Sequence, residues 1–247
     1  MEIIAHRGAS WDAPENTLSA VKLAWEQGAD AVEVDVHLSR DGRVVVIHDD
    51  NTRKIAGLKK KVCDQTWSDL QKLEVGKWKS PRWRGERLAD LDQVLSTTPA
   101  GKRFFIEVKC GNGFVEAAQE TFTRHADKKI VVIGFSLETM RLVKTAYPNL
   151  EVCWIVEFKK RIGTRRWTPS TSAVIEEAKA IGLDGLDCGA KGPITREFAQ
   201  NAKTAGLHVY VWTVDAPARA LELRDAGIDG VTTNRPGWLR EQLRKSA

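Results

Sequence analysis

Residues 31–48 read AVEVDVHLSRDGRVVVIH, and the way this stretch turns back on itself sets the fold. From 31 to 37, apolar residues alternate with Glu33, Asp35 and His37, the two-residue period of an extended strand, so both carboxylates point to one face. Asp41-Gly42 is a strong turn signal, and a second apolar run, 44–48, follows at once. A parallel return needs a crossover of about a dozen residues or more. The second run therefore comes back antiparallel, as a hairpin in which the strand overshoots its sheet and His48 lands near Glu33 and Asp35.

Outside this hairpin the chain repeats a different pattern. Short β-branched runs at 3–6, 31–37, 104–108, 130–135, 152–156, 185–188, 209–214 and 230–233 alternate with amphipathic stretches at 15–27, 114–124, 138–146, 172–180, 195–205, 218–226 and 238–244. Unbroken alternation predicts a parallel sheet. Eight β/α units in 247 residues fit a closed (β/α)8 TIM barrel, with a doubly wound open sheet as the alternative. Residues 51–87 hold Trp67, Trp78 and Trp83 but no clear strand, and read as a small inserted subdomain capping part of the barrel mouth. The expected organisation is a single α/β domain over 1–247, its second strand extended by the hairpin.

Composition excludes several functions. With 42% apolar and 29% charged residues the chain is globular, and no run approaches the ~20 apolar residues of a membrane span. No basic and apolar leader precedes the first strand, so the expected location is cytoplasmic. Cys63, Cys110, Cys153 and Cys188 form no CxxC pair, which argues against a zinc site or a disulfide framework. The balance of 38 basic over 33 acidic residues, net +5, suits small anions but is too interleaved for a nucleic-acid interface. Two basic clusters, Lys59 to Lys61 and Lys159, Lys160, Arg161, Arg165 and Arg166, read as solvated loops.

In such a barrel the active site forms at the C-terminal ends of the strands, so charged residues within or just beyond apolar strand runs are the ones to follow. The first strand ends in His6-Arg7-Gly8, the second carries Glu33 and Asp35, the hairpin ends in His48-Asp49, and the third barrel strand ends in Glu107-Val108-Lys109. A buried charge is costly unless paired or metal-bound, so the five charges of Arg7, Glu33, Asp35, Glu107 and Lys109 and two imidazoles at one mouth need a common purpose. Glu33, Asp35 and Glu107 form an all-oxygen set suited to a hard divalent cation, Mg2+ or Ca2+, with Mn2+ a third candidate. Arg7 and Lys109 suit a phosphate that also touches that cation. His6 and His48 are proton carriers at neutral pH, and the whole set amounts to phosphodiester hydrolysis. A barrel that binds phosphates without turnover would need no such proton-transfer pair. His37, His125 and His208 read as structural or exposed.

These motifs, with Pro14-Glu15-Asn16-Thr17, resemble the glycerophosphodiester phosphodiesterase family in its compact bacterial type. Weaker similarity continues through Gly76-x-Trp78, Phe135-Ser136, Val211-Trp212-Thr213-Val214 and Thr233-Asn234-x-Pro236, nearly the whole chain. The resemblance implies a (β/α)8 barrel with an insertion after the second strand, and metal-dependent hydrolysis of small-molecule glycerophosphodiesters to sn-glycerol 3-phosphate and an alcohol. It implies that Glu33, Asp35 and Glu107 hold the metal and that Arg7 and Lys109 grip the phosphate. It implies an acid/base pair with His6 as acceptor and His48 as donor, and Trp212 on the glycerol side. It implies neither a nucleic-acid partner nor stable membrane insertion. The nucleophile stays open between water and the glycerol 2-hydroxyl, which would pass through a cyclic phosphate. Asn16 or Thr17 can also cap the first helix.

Departures from the family's usual residues concern substrate preference rather than reaction class. Asn234 stands for an acidic residue, Gly134 for a serine, and the stretch before Leu95 lacks Pro-Thr. The alternative activity is a lysophospholipase D or phospholipase-like hydrolase acting on lysolipids at a membrane surface, with Trp78, Trp83 and Trp167 as an aromatic rim.

Overall fold

In the computed structural model, which describes residues 1–160, 163 and 166–245, eight parallel strands close into a barrel with helices between them. In chain order the strands are β1 (Glu2–Ala5), β2 (Ala31–Leu38), β3 (Val44–Val46), β4 (Arg103–Val108), β5 (Lys129–Gly134), β6 (Glu151–Val156), the short β7 (Lys159–Lys160) and β8 (Trp167–Thr168), β9 (Gly185–Gly189), β10 (His208–Trp212) and β11 (Gly230–Thr233). Round the barrel the order is β1, β2, β4, β5, β6, β9, β10, β11, and β1 closes the ring by pairing with both β2 and β11. That closure settles the fold as the (β/α)8 barrel over the open sheet.

The hairpin forms as residues 31–48 dictate. Ala31 through Val36 pair in parallel with Arg103 through Val108, while Val36 to Leu38 run past the ring and pair antiparallel with β3. The barrel strands are covered on both faces, which is why most of them read as continuous apolar runs. Ile4, Ala31, Phe105, Val131, Ile133, Cys153, Ile155 and Tyr210 fill the interior, and a larger core including Val32, Val34, Phe104 and Ile106 lies under the helices. At the N-terminal end Arg103 bonds Glu2 (2.7 Å), the Tyr210 hydroxyl (2.8 Å) and Glu151, sealing the floor with paired charge. Chemistry is left to the other end.

Local departures from the expected elements have local causes. The first helix, Leu18–Glu26, starts later than its 15–27 pattern because Asn16 takes a left-handed backbone (φ 58°) and Thr17 becomes the cap, its hydroxyl accepting from Ala20 N–H. Leu91–Leu95 is a helix that periodicity does not announce: it is too short to show a period and is held by an Asp90/Gln93 capping box. Lys59 to Lys61 are exposed as expected, whereas Lys159 and Lys160 pair with Trp167 and Thr168 in a small antiparallel ribbon. Arg161 and Arg165 lie outside the described residues. All four cysteines are free.

Residues 51–87 contain short turns of helix, among them Arg53–Ala56 and Trp67–Leu70, and no strand. Their Val62, Leu70 and Val75 share a separate small core with Leu88 and with Val45 and Ile47 of the returning hairpin. Lys79 Nζ donates to the Ser10 carbonyl (2.7 Å) and Lys54 Nζ meets Glu15 (2.8 Å), fastening the segment to the loop that follows β1.

Gly8 shows why that loop needs its glycine. Its φ is +78°, and a Cβ there would lie 2.5 Å from the carbonyl carbon of Ala20, so the first helix presses directly on the end of β1. Left-handed backbone and overpacking each cost about 1–3 kcal/mol. Gly8→Ala is accordingly expected to destabilise the protein by about 2–5 kcal/mol, read as a lowered midpoint of urea unfolding; an unchanged midpoint would show that helix and strand separate freely.

Candidate active site

Seven of the eight residues singled out from sequence line one open cleft of about 260 Å³ at the C-terminal mouth: His6, Arg7, Glu33, His48, Glu107, Lys109 and Trp212. The eighth, Asp35, is fully enclosed just behind it. Period-two alternation on β2 turns Glu33 and Asp35 inward together, and the β2–β4 register sets Asp35 beside Glu107. Ligand oxygens of the three carboxylates lie within 4.8 Å of one another.

This triad is short of positive charge. Glu33 Oε1, Asp35 Oδ1 and Glu107 Oε1 are buried without a well-formed hydrogen bond. Lys109 Nζ stands 3.2 Å from Asp35 Oδ1 and against Glu107, and nothing among the described residues meets Glu33 Oε1. Burial, then the neighbouring Asp35 and Glu107 charges, push the Glu33 carboxyl well above its ordinary range. Burial and Asp35 likewise lift Glu107 to about 7, against the pull of Lys109. Burial pushes Asp35 the same way, but Arg7 and Lys109 outweigh it and hold that carboxyl down at about 2. Like charges packed this closely protonate unless a cation joins them. Three convergent carboxylates with free oxygens fit a hard divalent ion.

The surrounding loop residues exist to hold these groups. Arg7 adopts a left-handed backbone (φ 55°), and its N–H donates to Glu33 Oε2 (2.9 Å) while its guanidinium reaches Glu15 (2.9 Å) and Asp35 (3.1 Å). Strain of this kind costs of order 1–3 kcal/mol and persists only where contacts impose it. Asn16, also left-handed, grips Asp35 at both ends: its Nδ2 donates to Asp35 Oδ2 (2.9 Å) and its Oδ1 accepts from Asp35 N–H (3.1 Å). The 14–17 motif thus does two things, Thr17 capping the helix and Asn16 orienting a carboxylate. Sequence reasoning anticipated the cap and missed the clamp.

The two imidazoles are supported differently. His6 Nδ1 lies 2.8 Å from Asn234 Oδ1. Asn234 in turn donates through Nδ2 (2.7 Å) and its backbone N–H (2.9 Å) to Asp215, which fixes the amide so that its oxygen faces His6. Nδ1 of His6 must therefore carry the hydrogen, leaving Nε2 with a free lone pair in the neutral ring. Burial, then Arg7, hold the His6 pKa below the ordinary imidazole value. His48 Nδ1 instead donates to the Asp49 carboxylate (2.7 Å), and His37 Nε2 holds the His48 carbonyl (3.0 Å), so His37 is structural as expected. His125 bonds Asp92 and His208 is exposed.

Trp212 forms one wall with Phe135, edge to face at 5.9 Å between ring centroids. Its indole N–H donates to the Asp187 carbonyl (3.2 Å). Asp187 itself, on β9, is a further charged lining residue, 3% exposed, whose carboxyl is pushed well above its usual range by burial and then by Glu107. Reading the 185–188 run for lone charges, as 104–108 was read, would have found it.

Comparison with known proteins agrees with this geometry. The model of the glycerophosphoryl diester phosphodiesterase family matches residues 6–238. A glycerophosphodiester phosphodiesterase of Caldanaerobacter subterraneus subsp. tengcongensis is 29% identical over 98% of this chain and 98% of its own, and YhdW of Bacillus subtilis is 30% identical over 97% and 96%. An Oleispira antarctica phosphodiesterase, solved in complex with the product sn-glycerol-3-phosphate, superposes with a TM-score of 0.87 at 26% identity, over 99% of this chain and 97% of that one. Sequence and fold alike carry a likeness that begins at the first mouth histidine and reaches the last helix, and the chain belongs to the glycerophosphoryl diester phosphodiesterase family.

Proposed function

We propose that the protein hydrolyses small glycerophosphodiesters to sn-glycerol 3-phosphate and an alcohol, with one divalent cation held by Glu33, Asp35 and Glu107. The observation that carries this reading is a cation-deficient carboxylate triad sharing one cleft with two imidazoles that are held by different partners. Family membership and the product in the Oleispira structure support it.

When bound, Mg2+, Ca2+ or Mn2+ stabilises charge on the phosphate oxygens. The chain's own residues do the rest. Arg7 and Lys109 face the same cleft and take up the diester's negative charge. His6, its Nδ1–H committed to Asn234, accepts at Nε2 the proton of the attacking hydroxyl, whether that belongs to water or to the glycerol 2-position. His48, its Nδ1–H held by the Asp49 carboxylate, delivers a proton from Nε2 to the leaving alkoxide. Trp212 and Phe135 supply an apolar wall for the carbon chain of the glycerol.

We assign the 51–87 segment the role of a cap, since Lys54 and Lys79 tie it to the loop beside Arg7. No described helix is long and apolar enough to cross a membrane, and four free cysteines suit a reducing cytoplasm. The test of the activity is release of glycerol 3-phosphate from a panel of glycerophosphodiesters with each divalent metal in turn. Release from none of them, or cleavage of lysolipids alone, overturns the reading.

The amide at position 234 has a consequence for pH. A carboxylate there would stabilise imidazolium more than the amide does; as the chain stands, burial and Arg7 hold the His6 pKa down against the opposing pull of the Asn234 hydrogen bond, Asp35 and Glu15. Asn234→Asp is expected to raise the His6 pKa and move the acid limb of kcat/KM to higher pH, so that activity near about pH 6 falls while the neutral plateau changes less. Imidazole titration by NMR and the pH–rate profile should move together; an unmoved acid limb removes His6 as the base.

A further inference from the structure

Asp187 has no place in the chemistry described so far. Its strand, β9, is four strands from β2 in either direction round the ring, so its side chain enters the cleft from the wall opposite Glu33 and Asp35. It is 3% exposed, and its Oδ1 is buried with no hydrogen-bond partner among the described residues. An enclosed oxygen left without a donor is costly unless something outside the chain supplies one.

None of the described cations of the barrel interior is paired with Asp187. Arg103 is occupied at the floor with Glu2, Glu151 and Tyr210, Lys109 with Asp35 and Glu107, and Arg7 with Glu15 and Asp35. The residues in register with Asp187 on either side are Ile155 and Tyr210, and the Tyr210 hydroxyl donates downward to Glu151. Asp187 is also outside the group of carboxylates close enough to share an ion. With no donor for it among the described residues, a ligand in the cleft is the partner its position suits.

We propose that Asp187 recognises the polyol end of the substrate, its carboxyl accepting a hydrogen bond from a hydroxyl of the glycerol unit while the phosphate is held across the cleft by Arg7 and Lys109. This rests on the phosphodiesterase reading above and names the residue that reads the glycerol. The position suits a neutral hydroxyl. A phosphate oxygen would meet another acid there, and Lys109 Nζ already stands over the ring of Phe135, 5.8 Å from its centroid. Trp212, braced on the Asp187 carbonyl, sets an apolar surface next to the same carboxyl, the pairing of carbon face and hydrogen-bonding edge that a glycerol chain presents.

Calorimetry on the Ca2+-loaded protein tests this, with sn-glycerol 3-phosphate, propyl phosphate and inorganic phosphate as separate probes. Asp187→Leu is expected to weaken glycerol 3-phosphate on the order of 10-fold, the worth of one lost hydrogen bond in a buried site. Affinity for propyl phosphate, inorganic phosphate and Ca2+ stays unchanged. Asp187→Asn keeps an acceptor oxygen of the same shape and retains most of the preference for glycerol 3-phosphate over propyl phosphate. Should the leucine variant fail to fold, Asp187→Ala serves in its place. Equal weakening of all three phosphates, loss of Ca2+ binding, or an unchanged preference in both truncated variants overturns the role of Asp187 while leaving the phosphodiesterase reading intact. If the wild-type protein does not bind glycerol 3-phosphate at all, that reading falls with it.

Discussion

Metal-free protein in excess chelator is expected to lose turnover by about 10³-fold or more, and Mg2+, Ca2+ or Mn2+ to restore it. A bound cation contributes several kcal/mol to stabilising a phosphoryl transition state, and each ~1.4 kcal/mol is a factor of ten in rate. In this chain a cation would have a second task. Without one, Glu33 and Glu107 are driven toward protonation by burial and by the Asp35 charge, so the charge of the site changes. Glu107→Gln separates the two effects, since it removes one ligand charge but keeps the side chain's volume. Calorimetric metal affinity should drop together with rate, while the metal-free variant unfolds no earlier than the metal-free parent because a like-charge contact with Asp35 has gone. Full turnover in chelator, or a Glu107→Gln variant that loses activity with metal affinity untouched, would remove the triad from the chemistry.

The parts of this site that a sequence can announce are those set by period and turn. Glu33 and Asp35 share a face because strand alternation is strict, and His48 reaches them because Asp41-Gly42 leaves no room for a crossover. The parts it concealed depend on closure of the ring. Asn16 meets Asp35 only because the loop after β1 bends through three left-handed residues, Arg7, Gly8 and Asn16, and no periodicity encodes that path. Asp215 acts on His6 through Asn234, a contact between β1 and the ends of β10 and β11 that exists only once β1 pairs with β11. Asp187 was visible as a lone charge in an apolar run, but its significance lies in being opposite β2, which is a property of an eight-membered ring. The helix Leu91–Leu95 escaped for a simpler reason, that five residues are too few for a 3.6-residue period to repeat.

The same supports separate the two histidines, and the largest contrast between variants should come from them. A neutral amide oxygen holds Nδ1–H of His6, where burial and Arg7 disfavour charge on the ring; a carboxylate holds Nδ1–H of His48 and stands beside it as a counter-ion. Hydrolysis needs one group that starts without the proton and one that starts with it, and these two environments match those starting states. His6→Ala and His48→Ala should each slow hydrolysis of glycerophosphodiesters with ordinary alcohol leaving groups by about 10²- to 10⁴-fold, with metal affinity intact. They part company on a glycerophosphodiester whose leaving group is a nitrophenol. That phenolate departs without protonation, so the His48 variant should recover most of its lost rate and the His6 variant should not, because deprotonating the nucleophile is needed whatever leaves. If both variants recover to the same extent, or neither does, the division of labour fails, and the two rings are better read as cations that hold the phosphate.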